Sequence, residues 1–254
     1  MFKNKLKENL YNGKVCFGTF VASNAPDTVE ICGILGFDFV VIDAEHGYTS
    51  PETSLAMIRV AEKTGMTPLV RVSENNEALI LRTLDVGAQG IHIPQINSVE
   101  QAKKAISYIK YSPQGMRGLS FHRACDYGMA DINEYMEQEN KETLTIFHCE
   151  NTACLDTLDE IASTEGLDVM IFGPFDMSQS MGIPGQVNHP DVEAAAKKML
   201  DACKKHGKIA GIYCANVAAA KERIKQGYLY IPVGVDCKVL ADAYGNIIKG
   251  LREI

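Results

Sequence analysis

Short apolar runs rich in β-branched and aromatic residues recur along the chain at intervals of about 30 residues, and longer amphipathic stretches fill the gaps. The runs are CFGTFVA (16–22), FDFVVID (37–43), TPLVRV (67–72), GIHIPQI (90–96), TLTIFHC (143–149), DVMIFGP (168–174), IAGIYC (209–214) and YLYIPVGV (228–235). Near-continuous hydrophobicity suits strands covered on both faces, as in a parallel sheet. Helix starts are expected at Pro26-Asp27-Thr28 and Ser50-Pro51-Glu52, with Pro in the first turn, and the second helix stops at Gly65. Further helices are expected over 76–86, 98–110, 153–165, 191–206, 216–226 and 237–252. Eight strands alternating with about eight helices predict a closed (β/α)8 TIM barrel over residues 1–254, one domain. An open doubly wound sheet is the alternative, weakened because no Gly-rich phosphate turn follows the first strand. The rhythm breaks over 111–142 and 174–190, which read as long loops at the binding end.

The chain has 254 residues, 46% apolar, with 25 Lys+Arg against 32 Asp+Glu and a net charge of −7. An acidic surface repels phosphate backbones and anionic lipid, so neither nucleic acid nor a membrane is an expected partner. The eight cysteines include no C-x-x-C pair, and several sit inside apolar runs, where a free thiol packs as a small core residue. The first ten residues, MFKNKLKENL, have no apolar stretch of signal-peptide length. A reduced, cytoplasmic protein is expected.

In such a barrel the chemistry lies at the C-terminal ends of the strands. Polar residues gather there: Asp43-Ala44-Glu45-His46 after the second strand, Arg71 after the third, and His92 and Gln95 on the fourth. His148-Cys149-Glu150 ends the fifth, Gly173-Pro174-Phe175-Asp176 follows the sixth, and Asp236 ends the eighth. Glu150 and Asp176 come from successive strands and can converge, and two carboxylates with open positions suit Mg2+ or Mn2+. The alternative makes them solvated loop acids. Asp43 and His46, three apart, permit a carboxylate to hold one imidazole nitrogen while the other acts as a base; alternatively Asp43 caps a helix that His46 enters. Glu45 points away if strand alternation persists. Arg71 ends an apolar strand and must meet an anion, from substrate or from the protein. His92 reads as an interior histidine, and Arg117 and Arg123 as loop arginines facing solvent, substrate or a neighbouring subunit. No Lys lies inside a predicted strand, which disfavours Schiff-base chemistry.

Several of these stretches resemble the HpcH/HpaI class of metal-dependent pyruvate aldolases. They are FDFVVIDAEHG (37–47), PLVRV (68–72), LDVGAQGIHIPQI (84–96), GMRG (115–118), Glu150, IFGPFDMSQSMG (171–182) and VGVD (233–236), in family order. The resemblance implies a (β/α)8 barrel that assembles as hexamers, built from dimers exchanging the last helix, here about 237–254. It implies that Glu150 and Asp176 hold a divalent cation, Mg2+ or Mn2+ with Co2+ as a further option. His46, supported by Asp43, would be the acid/base, and Arg71 would stabilise the enolate oxygen. Backbone amides around Gly173, Pro174 and Phe175 would hold the carboxylate of a 2-oxo acid. Asp85 and Arg123 resemble residues that complete the site near a subunit boundary.

One position departs from the family pattern: His148 stands where Gln is usual, two before the metal Glu. It is counted with the substrate-binding residues, either as a neighbour of the carboxylate or as a nitrogen ligand. The activity implied is cleavage of a 4-hydroxy-2-oxo acid to pyruvate and an aldehyde. A lyase acting on a CoA thioester and a barrel that binds a small acid without turnover are the alternatives.

Overall fold

The computed structural model describes residues 3–253, and within them eight parallel strands close into a barrel in sequence order. The strands are β1 (Cys16–Val21), β2 (Phe39–Asp43), β3 (Thr67–Arg71), β4 (Gly90–Ile93), β5 (Leu144–Cys149), β6 (Val169–Phe172), β7 (Ile209–Ile212) and β8 (Tyr230–Val235). Each falls inside the run expected for it, so the closed barrel is found and the open sheet is not. Every strand residue but three is buried, because helices cover the outside and side chains fill the inside.

Outside the barrel lie α2 (Pro26–Ile34), α3 (Pro51–Thr64), α4 (Glu77–Asp85), α5 (Val99–Ile109), α10 (Pro190–Lys205), α11 (Val217–Gln226) and α12 (Asp236–Arg252), all near their expected spans. Ser50 caps α3 by accepting from Thr53 N, and Gly65 ends it in the left-handed conformation at φ 77°. The helix expected over 153–165 is instead two short helices, α7 (Thr152–Asp156) and α8 (Leu158–Ala162). They divide at Thr157, whose hydroxyl donates to the Asn97 carbonyl. The two stretches read as loops also contain helices. Asp131 caps α6 (Ile132–Glu142) by accepting from Asn133 N and Glu134 N, and Pro174 opens α9 (Pro174–Ser180). A short 3-10 segment, Arg123–Gly128, precedes α6. All eight cysteines are free and seven are buried, as expected.

The foot of the barrel is closed by α1 (Lys5–Tyr11), a helix the hydrophobic pattern did not announce. Its Leu6 and Leu10 enter the barrel interior with Phe39, Leu69, Leu144 and Val169. Asn4 anchors it. The fully buried amide donates to the Gln89 carbonyl (2.8 Å) and the Glu142 carbonyl (3.0 Å), while its oxygen caps Lys7 N (3.0 Å). Its backbone N–H donates to Glu142 Oε2 at 2.7 Å.

Because Asn4 lies at the end opposite the catalytic face, Asn4→Ala should separate stability from activity. We expect a loss of about 2 kcal/mol, from an uncapped helix and a Glu142 carbonyl left without its donor, while the Gln89 carbonyl keeps the Leu144 N–H. Urea unfolding should show a lower midpoint, while turnover per folded molecule stays unchanged.

Candidate active site

Strand register determines which side chains share the barrel mouth. Asp43 pairs with Arg71 across β2 and β3, and Arg71 with His92 across β3 and β4, so these three stand at one level of the interior. Arg71 Nε donates to Asp43 Oδ1 (2.9 Å) and Nη2 to Asp43 Oδ2 (2.6 Å), a two-point contact matching the guanidinium edge. The cation also lies 4.9 Å from the Phe20 ring centroid. Burial alone would push the Asp43 carboxyl up, but Arg71 outweighs it and holds the group below its usual range.

This clamp overturns the expected support of His46 by Asp43. Asp43 touches His46 only through the backbone, accepting from Glu45 N (3.0 Å) and His46 N (3.3 Å) as a cap to the turn. The imidazole is 63% exposed, with Glu45 Oε2 at 3.9 Å. Arg71 holds the Asp43 carboxylate in the buried interior, while the His46 ring stands exposed at the rim. Glu45 also differs from expectation. The strand ends at Asp43, so alternation stops, and Glu45 Oε2 turns inward to 2.9 Å from Arg71 Nη1. That buried oxygen is ion-paired without an aligned hydrogen bond. Burial and the nearby Glu150 raise its pKa against the pull of Arg71.

Glu150 follows β5 and is 2% exposed. Oε1 accepts from the Gln95 backbone N–H at 2.8 Å, and Oε2 lies 3.0 Å from His148 Nδ1. Burial pushes this carboxyl up, but the His148 ring and the Gln95 N–H prevail and hold it low. Gln95 itself is in the left-handed region at φ 54°, a conformation that aims its N–H at the carboxylate. No side-chain pattern announces such a role.

Gly173, at the start of α9, joins the two acids. A Cβ added there would lie 3.3 Å from Glu150 Oε2 and 3.5 Å from Asp176 Oδ2. Both oxygens therefore border one small space that only the glycine leaves open. Asp176 has no hydrogen-bond or ion-pair partner among the described residues. The amides expected to hold a substrate carboxylate are fewer than the resemblance implies. Gly173 N donates to the Cys149 carbonyl (3.2 Å) and Pro174 has no N–H, which leaves Phe175 and the first turn of α9. These groups line a cavity of about 240 Å³ with His46, Arg71, His148, Phe20 and Tyr213. Phe20 and Phe175 meet Tyr213 edge-on at 6.0 and 6.1 Å, an aromatic wall on one side.

Other expected residues lie elsewhere. Asp85 ends α4 at the foot of the barrel and accepts from Arg117 Nη2 at 2.9 Å. Arg117 is fully buried between Asp85 and Glu139 and stacks on Tyr111, so it is not a solvated loop arginine. Arg123 pairs with Glu62 and donates to the Val86 carbonyl. Asp236 latches β8 to the turn after β1, accepting from Ala22 N at 2.9 Å and from Ser23.

The clamp has a pH signature. Because Asp43 titrates lower in the fold than in the unfolded chain, its contribution is complete above pH ~4 and is lost as pH falls through its folded value. Asp43→Asn leaves Arg71 half-paired in a buried site, at a cost of about 3 kcal/mol. Acid unfolding curves should show that the variant loses stability less steeply below pH ~4 than the parent, since that titration is gone.

The HpcH/HpaI aldolase/citrate lyase family model matches residues 16–243. The 5-keto-4-deoxy-D-glucarate aldolase of an Enterobacter species is 33% identical over all 254 residues, covering 98% of that relative. The solved HpcH/HpaI aldolase from Desulfitobacterium hafniense superposes with a TM-score of 0.93 at 29% identity, over 98% of this chain and 97% of that one. A family member from Burkholderia cenocepacia gives the same score and identity over 98% of this chain and 100% of its own. The carboxylate pair, the buried arginine and the barrel that frames them thus sit in a chain that belongs to the HpcH/HpaI aldolase/citrate lyase family and is a carbon–carbon lyase.

Proposed function

We propose that the mouth of this barrel cleaves and forms the C3–C4 bond of 4-hydroxy-2-oxo acids, giving pyruvate and an aldehyde, with Glu150 and Asp176 holding the divalent cation. The observation that carries this reading is the convergence of both carboxylates on the space above Gly173, beside the buried guanidinium. The donor set fits a hard cation. Among the described residues no group of three or more His, Cys, Asp or Glu side chains is arranged to hold a metal, so the chain offers two oxygens and leaves room for oxygens from substrate. Mg2+ or Mn2+ suits such a set best. When bound, the cation supplies a Lewis acid that stabilises negative charge developing on the keto oxygen.

The residues divide the remaining work. Arg71 spends three N–H groups or contacts on Asp43 and Glu45, and its fork of five N–H donors still presents hydrogens to the enolate oxygen. Fixed by the clamp, it needs no reorganisation as charge develops. The exposed His46 ring at the rim takes the proton of the C4 hydroxyl as that carbon becomes the aldehyde carbonyl; the C3–C4 electron pair stays on C3 as the pyruvate enolate. Amides of the first turn of α9 meet the substrate carboxylate. The aromatic wall of Phe20, Tyr213 and Phe175 keeps water from the reacting carbons. Asp85 and Arg123, held at the foot and flank of the barrel, would reach substrate only in the mouth of a second copy.

A second copy is also the occupant we assign to α12. Every described residue from Cys237 to Glu253 is exposed, Val239, Leu240, Tyr244, Ile247, Ile248 and Leu251 among them. Helix α2 and its C-cap expose Ile31, Ile34 and Leu35. In a closed (β/α)8 barrel the last helix ordinarily covers this flank. Here it stands away from it, as exchange between copies requires.

Two experiments test these readings. Pyruvate release should be followed from a panel of 4-hydroxy-2-oxo acids that includes 5-keto-4-deoxy-D-glucarate. EDTA should abolish it, Mg2+ or Mn2+ should restore it, and His46→Ala should lose cleavage while retaining pyruvate binding; full activity in chelator would overturn the assignment. For assembly, Tyr244→Glu with Ile248→Glu should reduce the mass measured by sedimentation, and an unchanged mass would remove α12 from the interface.

A further inference from the structure

Beneath the mouth, four side chains cross the barrel interior in one unbroken line. Tyr230 Oη lies 2.8 Å from His92 Nε2, His92 Nδ1 lies 2.9 Å from His148 Nε2, and His148 Nδ1 lies 3.0 Å from Glu150 Oε2. Tyr230 and His92 have no solvent exposure. The Tyr230 ring stacks on Phe39 at 4.2 Å, and Gly211 lies close against it, so that an added Cβ would come within 2.8 Å of the ring. Its hydroxyl therefore has one place to point.

Both ends of the line fix its direction. An ionised carboxylate only accepts, so His148 Nδ1 must carry the hydrogen given to Glu150. A phenol always carries a hydrogen, and the one hydrogen-bond partner of the Tyr230 hydroxyl among the described residues is His92 Nε2, so it donates there. Between the two rings only one arrangement remains: His92 Nδ1–H donates to His148 Nε2. Any other would set two hydrogens or two lone pairs face to face in a dry interior, where an unpaired polar group costs most. Each imidazole is thus a neutral Nδ1–H tautomer with both nitrogens engaged. Burial drives the His92 pKa far down, in keeping with a neutral ring.

We propose that Tyr230 and His92 are positioning residues of the reaction, acting through His148 to hold Glu150 Oε2 in one orientation and to keep His148 from competing for the cation. The proposal rests on the reading of Glu150 as a metal ligand. With Gln95 N–H on Oε1 and His148 on Oε2, each oxygen of Glu150 keeps one fixed donor and a lone pair free for the cavity. His148 replaces the usual Gln without becoming a nitrogen ligand, since both its nitrogens are already committed. Outer partners that orient a ligand in this way typically contribute 10- to 100-fold to metal affinity.

Two measurements on the full-length protein test this. In 15N spectra of the imidazole nitrogens, the metal-free protein should show His92 and His148 as neutral Nδ1–H tautomers; an Nε2–H or doubly protonated ring at either position would overturn the proposal. Mn2+ binding, read from the resonance of the free ion, should be lost in Glu150→Gln and weakened about tenfold or more in His92→Leu. Tyr230→Phe, which keeps the stacking on Phe39, should weaken it several-fold and shift the His148 ring signals. His92→Gln can accept from Tyr230 and donate to His148, so it should restore most of what His92→Leu loses. Unchanged affinity in both Tyr230→Phe and His92→Leu, with Glu150→Gln inactive in binding, would sink the positioning role alone. Mn2+ binding intact in Glu150→Gln would remove the ligand assignment, and the role with it.

Discussion

A closed barrel gives its inward side chains no water below the mouth, so each polar group placed there must be satisfied by another. That constraint organises the catalytic end of this protein. Arg71 is tolerable because Asp43 meets it at two points and Glu45 at a third. His92 is tolerable because Tyr230 and His148 take its two nitrogens. The groups we propose to be reactive are what remains after these demands are met: one exposed imidazole, two converging carboxylates, and the unspent edge of a guanidinium. Preorganisation here follows from the requirement for satisfied burial, and the same contacts that make the charges affordable also hold them still.

The charge balance of the mouth points the same way. Asp43, Glu45, Glu150 and Asp176 stand around one buried arginine, an excess of negative charge in a partly dry cavity. Opposite pressures on neighbouring acids result: Asp43 and Glu150 are held low by direct donors, whereas Glu45 is pushed up. A divalent cation would offset that excess, and its binding would relieve Glu45 as well as recruit the substrate.

Much of this was legible in the sequence because a barrel turns two simple periods into a site. Strand runs covered on both faces carry a strong signal, and polar residues at their C-terminal ends stand out against it; Arg71, Glu150 and Asp176 are visible for that reason. What was not legible depended on backbone direction or on competition between partners. The pairing of Asp43 with Arg71 rather than with His46 turns on cross-strand register, which spacing within one turn does not reveal. Glu45 was misjudged because alternation stops where the strand stops. Gln95 acts through a main-chain N–H in a left-handed turn, and α9 forms in a stretch whose prolines and glycines read as loop. His92 looked interior and is, yet its line to Glu150 runs through His148, 56 residues on, with Tyr230, 138 residues away, on its other nitrogen.

The helix at the foot of the barrel bears on how the chain is made. Asn4 is synthesised before its partners, which lie 85 and 138 positions later, at Gln89 and Glu142. Until the segment entering β5 has emerged, Leu6 and Leu10 have no interior to fill. Contacts of such long sequence separation form slowly, and a nascent chain must carry its plug unseated until residue 142 has emerged. Helix α1 is therefore a late arrival in the fold, and fragments ending before residue 142 should present those leucines to whatever else is in solution.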